Sequence, residues 1–130
     1  MKNKLKEICP DFEEWPDSWM GMDEDLPYGK ELLKEFEPFA LFLIDSGLAK
    51  KTIKRHLTNL WLIGGEIIES VSLYEEYSIP ASQKLRDSVE EEGGPLCQHV
   101  TTDAEIKSYD STGKKLHRYL KEMDKRLENK

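Results

Sequence analysis

Five side chains in this sequence are of the types that bind soft metals or act as thiol nucleophiles: Cys9, His56, Cys97, His99 and His117. Only Cys97 and His99 are near neighbours, with Gln98 between them. Structural zinc sites draw their ligands in spaced pairs, and a second pair must complete the tetrahedron. Cys97-Gln98-His99 is one residue too tight for that spacing and no second pair follows, so no metal is expected. A catalytic cysteine needs a base that a third group orients, and a histidine two residues away does not supply it. Gly64-Gly65 and Gly93-Gly94 lack the flanking residues of a phosphate-cradling loop. Glu90, Glu91 and Glu92 read as a solvated helix end. The chain therefore reads as non-catalytic, with no catalytic, cofactor or metal residues.

Charge offers a second kind of chemistry. The net charge is −7, and it is unevenly spread: −6 over residues 1–37, +3 over 38–65, −6 over 66–92 and +2 over 93–130. Lys50, Lys51, Lys54 and Arg55 form the densest basic cluster, with no acid until Glu66. Neutralising four phosphates would give a salt slope of about −3.6, at roughly −0.9 per contact. Bases at a helix N-terminus also oppose its dipole, a mild cost that hints at another use. These four are the candidate nucleic-acid-binding residues, with duplex DNA as the candidate partner. The competing reading is a solvated face paired with the acidic segments. The later bases Lys114, Lys115, Arg118, Lys121, Lys125 and Arg126 interleave with Glu122, Asp124 and Glu128. Glu122 and Arg126 make a favourable i,i+4 pair there, whereas Lys114 with Arg118 and Lys121 with Lys125 repel. A mixed, solvated face is expected.

The elements that position these groups are legible from periodicity. At 130 residues, 38% hydrophobic and 35% charged, the chain suits one domain with a core that needs no staples. No apolar run is long enough to cross a bilayer, the longest being residues 39–44, so no membrane partner is expected. Lys2, Lys4 and Lys6 are not followed by an apolar stretch, and the two cysteines read as reduced thiols, which points to the cytoplasm. Residues 1–27, punctuated by Pro10, Pro16 and Pro27, read as irregular. Phe12, Trp15 and Trp19 within them could share one face, either as a lid over the core or as a peptide that docks a partner.

A first long helix is expected over residues 30–46, with Leu32, Phe36, Phe39, Ala40 and Leu43 on its apolar face. A kink or break is expected at Pro38, and Gly47 is the expected left-handed terminator. The second helix is the clearest, since Ile53, Leu57, Leu60, Trp61, Gly64, Ile67, Ile68 and Val71 make one continuous stripe. Gly64 inside it suggests a close helix crossing, and Gly65 has no evident role. A third helix is expected over residues 81–92, ending at Gly93-Gly94-Pro95. The fourth opens on Thr102-Asp103-Ala104-Glu105, which has the capping-box form. Beyond it Ile106, Tyr109, Gly113, Leu116, Leu120, Met123 and Leu127 alternate at steps of three and four. This heptad-like seam packs either within the chain or against a second copy. Asp110-Ser111-Thr112-Gly113 is a candidate restart within it.

Residues 36–70 resemble the core-binding domain of phage-type integrases and tyrosine recombinases, a SAM-like helical bundle. The matching residues are Phe39, Phe42 and Leu43, then Gly47-Leu48, then Lys51-Thr52-Ile53, with Leu57 and Leu60 continuing the buried face. The serine that commonly follows the Gly-Leu pair in that family is Ala49 here, so its cap is missing unless Thr52 starts the helix later. The resemblance implies a domain that grips duplex DNA through its backbone. It does not extend to catalysis, because no arginine stands three residues after a histidine and only four arginines are present.

The expected architecture is an all-α, compact bundle of about four main helices with an irregular aromatic-rich N-terminal segment. It forms a single domain over residues 1–130, divided into the segment 1–27, a helical hairpin 28–71 and C-terminal helices 72–130. A non-catalytic binding module with weak, nonspecific DNA contact is the first functional expectation. A homodimeric interaction or structural factor without a nucleic-acid role is the alternative, with Ile106, Tyr109, Leu116, Leu120, Met123 and Leu127 as candidate self-association residues.

Overall fold

The computed structural model describes residues 2–128; Met1, Asn129 and Lys130, which fall in the expected 1–130 domain, lie outside the described residues. Among the described residues the chain forms α1 (Lys2–Ile8), a 3-10 turn (Phe12–Glu14), α2 (Trp15–Trp19), α3 (Asp25–Asp45), α4 (Lys50–Leu73), α5 (Ala81–Ser88) and α6 (Asp103–Glu128). The all-α bundle expected from periodicity is the fold, and its four main helices are α3 to α6. The N-terminal segment is a correction: most of residues 2–19 is helical rather than irregular. Pro16 lies in the first turn of α2, where a missing N–H leaves no bond unmade. Phe12 and Trp15 are buried, and Trp19 packs on them, so the three aromatics form a lid.

Helix α3 starts five residues before its expected onset. The Asp25 carboxylate accepts the Gly21 and Met22 amides at 2.9 Å and the Tyr77 hydroxyl at 2.7 Å, which fixes the entry of the chain. Burial would raise the pKa of Asp25, but the Tyr77 hydroxyl and the two amides outweigh it and hold the carboxyl below its ordinary value. Of the kink or break expected at Pro38, the break does not occur, because α3 continues through it to Asp45. A proline inside a helix costs about 3 kcal/mol. Phe36, Phe39, Ala40 and Leu43 around it are fully buried. At about 1.5–3 kcal/mol for each large side chain, their burial outweighs that cost. Gly47 closes the helix at φ +83°, as expected.

Helix α4 buries the whole expected ridge except Trp61, which lies at its edge, and it buries Ile63 as well. Its N-cap is Ala49 without a side-chain bond, so Thr52 does not begin the helix later. Gly64 is not a helix crossing. A Cβ there would lie 2.7 Å from Cη2 and 2.8 Å from Cε2 of Trp19, so the glycine forms the notch that receives the indole. The Trp19 Nε1–H donates to the Trp61 carbonyl at 3.0 Å and locks the ring in place. Gly65, one residue on, would meet Trp19 only at 3.5 Å, an ordinary contact. Gly65→Ala is therefore expected to stabilise the protein by about 0.5–1 kcal/mol through helix propensity, read as a rise in thermal midpoint of a few degrees. A fall in midpoint would contradict that packing.

Helix α5 ends at Ser88, four residues short of expectation. Val89 is extended, and Glu90 and Gly93 exchange backbone hydrogen bonds of 2.8 and 3.1 Å, closing a tight turn with Gly93 at φ +147°. Glu90, Glu91 and Glu92 thus lie on this exposed turn rather than on a helix end. The turn packs on α6. A Cβ on Gly113 would lie 2.6 Å from the Gly93 carbonyl carbon and 3.0 Å from its Cα. The close backbone approach of this fold is therefore at Gly113. Helix α6 is uninterrupted, so residues 110–113 are not a restart. Its capping box is formed as expected, with Glu105 N–H on Thr102 Oγ1 and Thr102 N–H on Glu105 Oε1, both at 3.1 Å.

The heptad-like seam is the face that α6 turns into its own bundle. Tyr109, Leu116 and Leu120 are buried, and Tyr109 donates to the Pro95 carbonyl at 2.7 Å. Self-association through the whole seam is corrected on that ground. Ile106 and Leu127 are exposed and Met123 is half-buried, so only the ends of the seam reach the surface.

Candidate functional site

Helices α4 and α6 pack antiparallel, and polar side chains mark their register. His56 Nδ1 is hydrogen-bonded to Thr112 Oγ1 at 2.7 Å, and Asn59 Nδ2 donates to Thr112 Oγ1 and Ser108 Oγ, each at 3.0 Å. With the bond from Arg55 to Ser108, they tie residues 55–59 of α4 to residues 108–112 of α6. The basic start of α4 therefore lies beside the middle of α6, joining two regions that are about 60 residues apart in sequence. Arg55 Nη1 donates to Ser108 Oγ at 2.7 Å, which pins the guanidinium at this junction. His56 shows the local charge: its pKa is lowered to about 4, first by burial and then by the neighbouring cations Arg55 and Lys115.

Once the buried face of α6 is known, the rest of its surface can be assigned. Tyr109, Thr112, Gly113, Leu116 and Leu120 point inward. Lys107, Lys114, Arg118, Lys121 and Lys125 follow at steps of seven, four, three and four on the opposite side, and all five are exposed. They make a line about 27 Å long, at 1.5 Å per residue. Acids are interleaved with them: the exposed Asp103 lies four residues before Lys107, and the exposed Glu122 and Glu128 lie four after Arg118 and three after Lys125. Asp124 is turned toward α5, where Arg86 holds it bidentately at 2.7 and 3.0 Å. The Glu122–Arg126 pair expected from spacing is not among the ion pairs of the described residues, which are Lys34–Glu31, Lys84–Glu76 and Arg86–Asp124.

The four bases of the α4 cluster divide between two directions. Arg55 is turned toward α6, where it meets Ser108, and Lys51 stands one turn before it on α4. Lys54 instead borders a groove of about 250 Å³ shared with Asp11, Trp15 and Trp61. All four are exposed, and none is in an ion pair among the described residues.

The acids gather at the other end of α4. Glu66 and Glu69 line a groove of about 460 Å³, together with Trp61, Leu62, Leu73 and His99. Burial, then the Glu69 charge, pushes the Glu66 pKa up. Cys97 is raised first by burial, and Cys9 is pushed up to about 12 by burial and by its bond to Asp11. Both thiols are held in the protonated form, which is poorly nucleophilic. Among the described residues no group of three or more His, Cys, Asp or Glu side chains could hold a metal ion. None of the helices is long and apolar enough to cross a membrane.

Lys107, Lys114 and Lys121 were not resolved as a stripe by sequence reasoning. The signal was present in their helical spacing, but it needs α6 to continue through residues 110–113. Family models, curated proteins and solved structures contain no match to this chain.

Proposed function

We propose that this protein is a non-catalytic binding module that contacts the phosphate backbone of duplex DNA, weakly and without sequence preference. The observation that carries the reading is the row of five exposed bases Lys107, Lys114, Arg118, Lys121 and Lys125 along α6, with Arg55 of α4 joined to the same helix at Ser108. Exposed cations with no anionic partner keep their full charge for a ligand, and their attraction is sequence-independent. The resemblance of the α3–α4 hairpin to an integrase core-binding domain agrees with this use. Of its anchors, Phe39, Leu43, Ile53, Leu57 and Leu60 are buried and Phe42 is exposed, and its Gly47 corner is left-handed. The net charge of −7 opposes association at long range. Affinity is therefore expected at low salt and from one face only.

Titrating a labelled duplex at several salt concentrations tests the reading. Five phosphate contacts, one for each base of the α6 row, give a slope of about −4.5 in log K against log salt. Lys114→Glu with Lys121→Glu is expected to reduce that slope by about 1.8, the share of two contacts. Lys51→Glu with Lys54→Glu is expected to weaken binding less, since neither belongs to the α6 row. Absence of binding at low salt, or a slope indifferent to the α6 pair, would refute duplex binding through this face. The alternative, self-association without nucleic acid, rests on the exposed seam ends Ile106 and Leu127. It predicts a sedimentation coefficient that rises with protein concentration, and a monomer throughout would end it.

A further inference from the structure

Beside the basic line, where α3 meets α6, lies a surface slot of about 220 Å³. Phe42, Tyr119 and Met123 line it with apolar surface, Lys115, Arg118 and Arg126 supply three cations, and Glu122 is its one acid. Phe42 is 45% exposed although its neighbours Phe39 and Tyr119 are packed inward. Its ring lies 6.2 Å from Phe39 at an interplanar angle of 24° and 5.0 Å from Tyr119. The ring is thus held in place from behind while part of it faces solvent. Keeping a phenylalanine in this condition forgoes burial that the core could supply, and a ligand ring would recover it.

We propose that this slot takes an unpaired nucleobase, so that the protein prefers single-stranded over duplex nucleic acid. The inference rests on the basic face binding nucleic acid, since Arg118 belongs both to that line and to the slot. The volume is smaller than the roughly 300–1,000 Å³ of small-molecule sites, so it fits one ring of a longer ligand. A single strand presents a phosphate and a planar ring at every step, matching a cationic edge beside an aromatic surface. In a duplex the same rings are stacked inside the helix and cannot enter. An acidic peptide would need carboxylates spread along the whole line as well as an aromatic side chain at its edge, and it is the weaker match.

The test uses the full chain with a labelled oligothymidylate and a labelled duplex of the same length. Wild-type protein is expected to bind the single strand more tightly. Phe42→Ala is expected to lower single-strand affinity by roughly five- to a hundredfold, the range for removing one stacking partner, and to leave duplex affinity unchanged. Phe42→Trp restores the preference, which separates loss of a ring from loss of the fold. Equal affinity for the two probes, or no response to Phe42→Ala, overturns the slot while leaving the basic face standing. Failure of both probes to bind at low salt overturns the face and the slot together. Displacement of the oligothymidylate by a glutamate-rich, tyrosine-bearing peptide at equal concentration assigns the slot to acidic peptides and also overturns the proposal.

Discussion

Gly113→Ala is expected to destabilise the bundle by about 2–3 kcal/mol, the range for forcing extra atoms into a packed interior. Helix propensity alone predicts the opposite sign, because alanine in a helix interior is worth about 1 kcal/mol over glycine. The packing effect wins because of what the new methyl would meet. It would press on the backbone of Gly93 and Gly94, including the Gly93 carbonyl carbon at 2.6 Å. A side chain can change rotamer, but this backbone is tied by the Glu90–Gly93 hydrogen bonds and lies over the buried Ile63. Urea unfolding of Gly113→Ala and Gly65→Ala side by side makes the comparison within one protein. Both replace a glycine of a long helix, and they are expected to move the midpoint in opposite directions. If Gly113→Ala were as stable as the parent, the turn at Glu90–Gly93 could not be seated on α6 as described.

Acidification from about pH 6.5 to pH 4 is expected to cost the protein stability through one buried imidazole. His56 is 3% exposed and its folded-state pKa is lowered to about 4. The unfolded chain takes up the proton first, near the ordinary histidine value of about 6.5. The folded state must refuse it until about pH 4, so stability is retained above the first value and lost between the two. The slope cannot exceed about 1.4 kcal/mol per pH unit for one proton. The cause is burial first, then the like charges of Arg55 and Lys115; Thr112 and Asn59 are the neutral groups of the same network. Glu66 works in the other direction, since its raised pKa lets the fold take up a proton as the pH falls. Asp25 and Asp124, held below their ordinary values, enter only near and below that range. His56→Gln is therefore expected to flatten the thermal midpoint between pH 6.5 and 5. An unchanged slope in that variant would remove His56 as the cause.

Much of the helical framework could be read from local spacing. The α4 ridge, the Gly47 terminator and the Thr102–Glu105 capping box all depend on residues within a turn or two of one another, and all three are formed. The readings that failed depended on partners distant in the chain. Of the kink or break expected at Pro38, the break is absent, because burial of four neighbours against other elements outweighs one missing bond. Gly64 was assigned to a helix crossing, yet the group it faces is Trp19, 45 residues earlier. The Arg86–Asp124 pair, 38 residues apart, took the acid that spacing placed among the α6 bases.

By itself the amino-acid sequence determined that this chain is helical, where most of its long helices run and which residues of each share a side. Periodicity carries that information because a side chain's direction around a helix follows from its position alone. Only the tertiary structure decided which way each helix is turned, and with it the meeting of the two basic regions where Arg55 reaches Ser108. That choice depends on how apolar stripes from different helices fill a common interior, and on approaches such as Gly113 to Gly93 that arise only when separate elements meet.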